Sequence, residues 1–172
     1  MSVPFTRISN ATSNDILFYD PAAERRAASL DVEWDTYFNV GSQQLLYQLE
    51  FSWWPKYVEV AIGAWYFKQN SQNQMVTAFD PTKLDLDSQI LIQLDTFKAV
   101  ELFYSTLVTD VSNINEVDAT NYKFAKTRFD TAWTQAVQLG NFYDLNKDGI
   151  ITKLEENYKQ DLQFYNSDRR YF

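Results

Sequence analysis

The strongest constraint on the fold is an apolar stripe in the last third of the chain. Tyr122, Ala125, Phe129, Ala132, Trp133, Ala136, Val137 and Leu139 recur at helical spacing, with Lys123, Lys126, Asp130, Thr134 and Gln138 largely off that line. Residues with this period lie along one face of an α-helix and bury against a neighbouring element. A helix is therefore expected over residues 118–143, its stripe serving as core rather than as a cofactor site.

The same period recurs upstream. Ile90, Leu91, Leu94, Phe97, Glu101 and Tyr104 predict a long helix over residues 87–108, with Glu101 as the one polar intruder in the row. Leu45, Leu46, Leu49, Phe51 and Trp53 predict a helix over residues 41–54. Pro55 should end or kink it, because proline donates no intrahelical hydrogen bond. A further piece is expected through Tyr57, Val58, Val60, Ala61 and Ile62, and a last helix over residues 152–165. Helices joined by short connections imply a mainly α-helical bundle.

Three segments fall outside this pattern. Residues 1–35 carry polar punctuation and weak periodicity, and read as an extended N-terminal arm with at most a short helical turn. Between Ala64-Trp-Tyr-Phe67 and Met75-Val-Thr-Ala-Phe79 lies the polar run Lys68–Gln74. Residues 64–79 therefore read as a small β-hairpin or projecting loop, or else as an ordinary solvated loop. Residues 166–172 form a C-terminal tail, which leaves residues 36–165 as the helical domain.

Composition narrows the chemistry. Among 172 residues there is no Cys and no His, which excludes a disulfide framework, a Cys/His zinc site, a Cys nucleophile and a Ser-His-Asp relay. No apolar run approaches the roughly 20 residues of a membrane span. The start lacks a basic segment followed by an apolar stretch, so no signal peptide is expected. Aromatic residues make up 17% of the chain, more than one small core needs, and the surplus points to an interface or ligand platform.

Net charge is −8, and residues 31–110, with eleven acids and four bases, hold nearly all of it. A groove that grips phosphate needs the opposite sign, so tight nucleic-acid binding is not expected. Asp80, Asp85, Asp87 and Asp95 could instead face a channel and let DNA slide past, or lie on a solvated outer face.

One motif is sharp. Asp144-Leu-Asn-Lys-Asp-Gly-Ile-Ile-Thr-Lys-Leu-Glu155 matches the twelve-residue EF-hand loop at every pattern position. A hard cation wants six to eight oxygens. Asp144, Asn146 and Asp148 would supply side chains, Ile150 its carbonyl, Thr152 a direct or water-mediated contact and Glu155 a bidentate carboxylate, with Gly149 at the sharp turn. Calcium is the cation this set fits; a metal-free turn capping two helices is the alternative. No second loop of this pattern exists in the chain, and Glu156 and Lys159 stand where a sensor places apolar residues. Calcium here would staple helices rather than open a target groove.

The succession from Leu91-Ile-Gln-Leu-Asp-Thr-Phe-Lys-Ala-Val-Glu-Leu-Phe-Tyr104 into Asn121-Tyr-Lys-Phe-Ala-Lys-Thr-Arg-Phe-Asp-Thr-Ala-Trp133 and Leu139-Gly-Asn-Phe-Tyr-Asp-Leu-Asn-Lys-Asp-Gly149 resembles tailed-bacteriophage head-to-tail connector proteins. The likeness covers residues 85–165 and names no catalytic residues. It implies a structural, non-enzymatic virion protein, assembled in the host cytoplasm. It further implies a ring of identical chains in the neck between portal and tail proteins, with a central channel through which DNA passes. In that setting Arg169, Arg170, Tyr171 and Phe172 could anchor the tail on a neighbour, the alternative being a frayed end.

Other classes compete with that reading. A stand-alone calcium-binding module would need the loop to govern a partner surface. A carbohydrate-binding or glycoside-processing protein would stack sugars on Trp53, Trp54 and Trp65 and use Glu50 or Glu59 as acid and base, unless those tryptophans pack between helices.

Overall fold

The computed structural model describes residues 7–57, 79–109, 116–144, 149 and 151. The hairpin expected over 64–79 (but for Phe79), the helix over 152–165, and the tail with Arg169, Arg170, Tyr171 and Phe172 lie outside the described residues.

The fold is mainly α-helical. Helices α1 (Ser13–Tyr19), α2 (Pro21–Ser29) and α3 (Trp34–Gln48) lead into a π turn (Leu49–Trp53) and a short α4 (Trp54–Tyr57). A 3-10 turn (Pro81–Lys83) precedes the two long helices, α5 (Gln89–Thr109) and α6 (Glu116–Leu139). The π turn answers to Pro55. A proline has no N–H to continue the α pattern, and the Trp54 N–H just before it bonds the Leu49 carbonyl, five residues back.

Helix α5 packs against both α3 and α6. Lys98 lies over the Phe129 ring and Glu101 faces Lys126, so positions rising along α5 meet positions falling along α6, the register of an antiparallel pair. One apolar cluster gathers Leu45, Leu49, Trp53, Leu91, Leu94, Phe129, Ala132 and Ala136; a second gathers Ile16, Ala27, Phe38, Val100, Phe103 and Ala125. The stripe of α6 thus faces the core as its period requires, except for Leu139 at its end, which is exposed.

The helix ends at Leu139, short of the expected residue 143. Gly140 adopts φ +62°, the left-handed backbone that terminates helices. Phe142 and Tyr143 then turn inward and are fully buried.

Residues 7–35 depart from the expected extended arm. Within them α1 starts at a Thr12–Asp15 capping arrangement, with the Thr12 N–H donating to Asp15 Oδ2 at 2.7 Å. Helix α2 starts at Asp20, whose Oδ1 accepts the Ala23 N–H at 3.0 Å, with Pro21 in its first turn. Arg26 pairs with Asp118 at 2.8 Å and Arg128 with Asp20 at 2.9 Å, tying this region to α6. Ile8, Ala11, Ile16, Ala23 and Ala27 are fully buried. Short helices held by caps and distant partners carry little periodic signal, which is why the sequence reads as an arm here.

Ile8 separates these pictures. Its side chain belongs to the same cluster as Leu45, Leu49 and Trp53, so Ile8→Ala should cost about 2–4 kcal/mol in urea denaturation. A loosely attached arm would give almost no change.

Candidate metal centre

The start of the loop 144–155 is built from the core outward. Leu84 and Tyr143 form an antiparallel bridge, the Asp85 N–H donates to the Phe142 carbonyl at 2.9 Å, and the Asp144 N–H donates to the Lys83 carbonyl at 2.9 Å. Behind this bridge Tyr143 stacks on Phe79 and meets Trp53, Trp54 and Tyr57 edge-on or tilted. Burial pushes the Tyr143 phenol up to about 12, against the smaller lowering effect of the Asp80 N–H donated to its oxygen at 3.3 Å. The aromatic cluster therefore fixes where Asp144 leaves the core.

Asp144 Oδ2 accepts the Gly149 N–H at 2.7 Å, and Gly149 has φ +82°. A side chain there is strained by the backbone itself, so glycine is required for this turn. These are positions 1 and 6 of the twelve-residue pattern, and their closure is the turn a cation loop needs. Asn146, Asp148, Ile150, Thr152 and Glu155 lie outside the described residues. Among the described residues no group of three carboxylates could hold a metal ion. Beside the turn is an open cavity of about 560 Å³ lined by Asn10, Asp85, Asp87, Asn141, Asp144 and Gly149, among others.

The acidic set expected at a surface divides in two. Asp80 Oδ1 accepts the Thr82 N–H at 3.0 Å, Asp85 Oδ1 accepts the Asp87 N–H at 3.1 Å, and Asp87 Oδ1 accepts from Asn10 Nδ2 at 2.7 Å. These three shape the loop before α5, with Asp85 and Asp87 exposed. Asp95 belongs to no surface: it is fully buried. Ser9 Oγ donates to its Oδ2 at 2.8 Å, Ser42 Oγ lies 3.1 and 3.0 Å from its two oxygens, and Arg7 stands 3.8 Å away. It occupies a face of α5 that α3 and the N-terminal segment cover, which charge counting along the chain does not detect.

The chain matches no protein-family model, no curated protein and no solved structure. Its own geometry is what bears on function. Trp53 and Trp54 are buried in the aromatic cluster, so they pack between elements rather than offer a surface for sugars; Trp65 and Glu59 lie outside the described residues. Glu50 is exposed on the π turn. No helix among the described residues is long and apolar enough to cross a membrane.

Two buried charges beside Asp95 escaped the sequence reading in part. Lys98 Nζ bonds Glu101 Oε2 at 2.9 Å and sits 4.6 Å from the centre of the Phe129 ring. Glu101, the intruder in the apolar row, is thus matched from its own helix. The available signal was spacing: Asp95, Lys98 and Glu101 are the only charges in the 21 residues of α5, at successive three-residue steps.

Burial raises the Asp95 carboxyl from 3.8 to about 6, although the Ser9, Ser42 and Arg7 contacts oppose the shift. A folded-state value above the unfolded one means that the native state holds the proton more tightly. The stabilisation is full below about pH 4 and is lost as pH rises through about 6. At about 1.4 kcal/mol per pH unit, the effect is on the order of 3 kcal/mol. Denaturation across this range should show the slope in the wild type and its loss in Asp95→Asn. Equal slopes would assign the titration to another group.

Proposed function

We propose that the chain is a structural, non-enzymatic virion protein. In this reading it is a head-to-tail connector that assembles as a ring in the neck of a tailed bacteriophage, between portal and tail proteins. DNA passes the channel of such a ring without tight binding, in keeping with a net charge of −8. The observation that carries the reading is the exposure of large aromatic side chains on separate elements: Phe18 is 79% exposed, Tyr47 63%, Phe51 59% and Phe124 64%. Residues of this kind concentrate at protein interfaces. The antiparallel α5–α6 pair, followed by the loop from Asp144, is the part of the chain that carries the resemblance to connectors.

The loop serves this assembly as a calcium staple. Asp144, Asn146, Asp148, the Ile150 carbonyl, Thr152 and Glu155 would hold the ion, and the closed turn between Asp144 and Gly149 supports the fit. Bound calcium offsets the mutual repulsion of the carboxylates and fixes the exit of the chain from the Tyr143 corner. It supplies charge and geometry rather than chemistry.

Two measurements test these statements. Negative-stain microscopy with antibody labelling of virions that carry the chain should place it in the neck; label confined to the capsid shell or tail fibres would refute the connector role. For the loop, calcium at about 100 times its dissociation constant adds about 2.7 kcal/mol. That raises the melting temperature of a domain this size by roughly 5–10 °C. Chelator should remove the shift, and Glu155→Gln should diminish it severalfold. Coincident melting curves with calcium and with chelator would leave a metal-free turn.

A further inference from the structure

Residues 7–11 are neither helix nor strand, yet they close over a buried carboxylate. Ser9 Oγ donates to Asp95 Oδ2 at 2.8 Å while accepting the Ala11 N–H at 3.2 Å. Ser42 Oγ lies 3.1 and 3.0 Å from the two Asp95 oxygens while accepting the Ile8 N–H at 3.4 Å. Arg7 stands 3.8 Å from Asp95, donates to the Ala11 carbonyl at 2.7 Å and lies over the Phe38 ring. Ile8 and Ala11 are fully buried, so the closed form is the ground state.

The segment is also separable. Among the described residues, one backbone–backbone hydrogen bond joins it to the rest of the fold, from the Asn10 N–H to the Leu86 carbonyl at 2.9 Å. It ends at Thr12, which is exposed and extended (φ −133°, ψ 173°) and whose N–H and Oγ1 both bond Asp15 at the start of α1. Beyond that point α1 and α2 keep their own ties, through buried Ile16 and the pairs Arg26–Asp118 and Arg128–Asp20. Lifting residues 7–11 about the Ala11–Thr12 link therefore breaks the contacts at Asp95 and leaves the caps and ion pairs of the following helices intact.

We infer that residues 7–11 are a proton-governed lid, closed most firmly over Asp95 while that carboxyl is protonated and opening as a unit more often once it is ionised, with α1 to α6 remaining folded. The inference does not rest on the connector reading. Its sign follows from burial. Opening returns Asp95 to water, which stabilises the anion far more than the acid. The charged groups on the surrounding elements do little to offset this. Arg7 on the segment is the one that acts on its charge, from 3.8 Å. Over residues 36–48 α3 has no charged residue. On α5, Lys98 and Glu101 bond each other; Asp15 on α1 and Asp87 before α5 bond Thr12 and Asn10.

In the closed form burial raises the Asp95 carboxyl from 3.8 to about 6, outweighing the Ser9, Ser42 and Arg7 contacts. The closed lid thus holds the proton more tightly than the open one. Its proton-linked advantage is complete below about pH 4, is lost as pH rises through about 6 and changes little above that. A difference of about two units corresponds to about a 100-fold change in the closed-to-open ratio.

The test is amide hydrogen exchange, read residue by residue by NMR on the full chain between pH 4 and 8 and corrected for the intrinsic rate. The N–H groups of Ile8, Asn10 and Ala11 should be less protected than those of Phe103 in α5 and Ala132 in α6 at every pH. Their protection should fall by about 100-fold between pH 4 and 7 and then level off. Asp95→Asn, which nearly keeps the shape, should flatten the profile. Arg7→Gln removes the facing cation and Ser9→Ala a hydroxyl that favours the anion, so each should enlarge the fall; these two decide the matter where Asp95→Asn does not fold. Protection equal to that of α5 and α6 at every pH would mean that the segment leaves only when the whole chain unfolds, and overturns the inference. So do a flat wild-type profile, a fall that survives in Asp95→Asn, and a fall that neither Arg7→Gln nor Ser9→Ala enlarges.

Discussion

Everything in this structure is arranged around a helix that is buried on nearly all sides and yet carries three charges. Along α5, residues 91, 92, 94–96, 98–101, 103 and 104 are buried, and Asp95, Lys98 and Glu101, which are among them, have little access to bulk water. A buried ion without partners costs several kcal/mol. Each charge must therefore find compensation inside the protein, and the search for it determines what packs where. Lys98 and Glu101 match each other, with Phe129 of α6 completing the cage. Asp95 draws in Ser42 from α3 and Ser9 and Arg7 from the N-terminal segment.

This explains why residues 7–35 belong to the bundle. Ser9 bonds Asp95 while its oxygen accepts the Ala11 N–H, and Arg7 bonds the Ala11 carbonyl while lying over the Phe38 ring. The segment before α1 is thus a lid on a carboxylate. Helices α1 and α2 follow from where that lid deposits the chain, and the ion pairs to α6 hold them there. Neither helix is long enough to be stable alone.

The sequence made the two long helices legible because their apolar period persists over more than twenty residues, longer than any turn or strand sustains it. It made Gly149 legible for a different reason: a cation loop demands a fixed spacing of oxygen donors around one sharp turn. What it hid were features set by partners distant along the chain. The anchor of Asp144 is the carbonyl of Lys83, some sixty residues away, and the surroundings of Asp95 come from residues 7, 9 and 42. A charge on a helix looks solvated until the elements on its other sides are known. The expected end of α6 failed locally, since Phe142 and Tyr143 continue the apolar pattern but Gly140 diverts them into an aromatic cluster.

The placement of polarity also bears on helix register. Replacing Lys98 and Glu101 by apolar residues of similar volume would be neutral or stabilising by the usual balance of desolvation and attraction, so stability alone gives no reason for the pair. Register does. With α5 slid by one turn along α6, Lys98 and Glu101 would stay bonded to each other, but Lys98 would leave Phe129 and Glu101 would leave Lys126. The pair itself travels with α5, so it is the contacts with Phe129 and Lys126 that favour the observed offset. Because α3 is fastened to the same helix through Ser42 and Asp95, α3 and α6 are both held in place against α5.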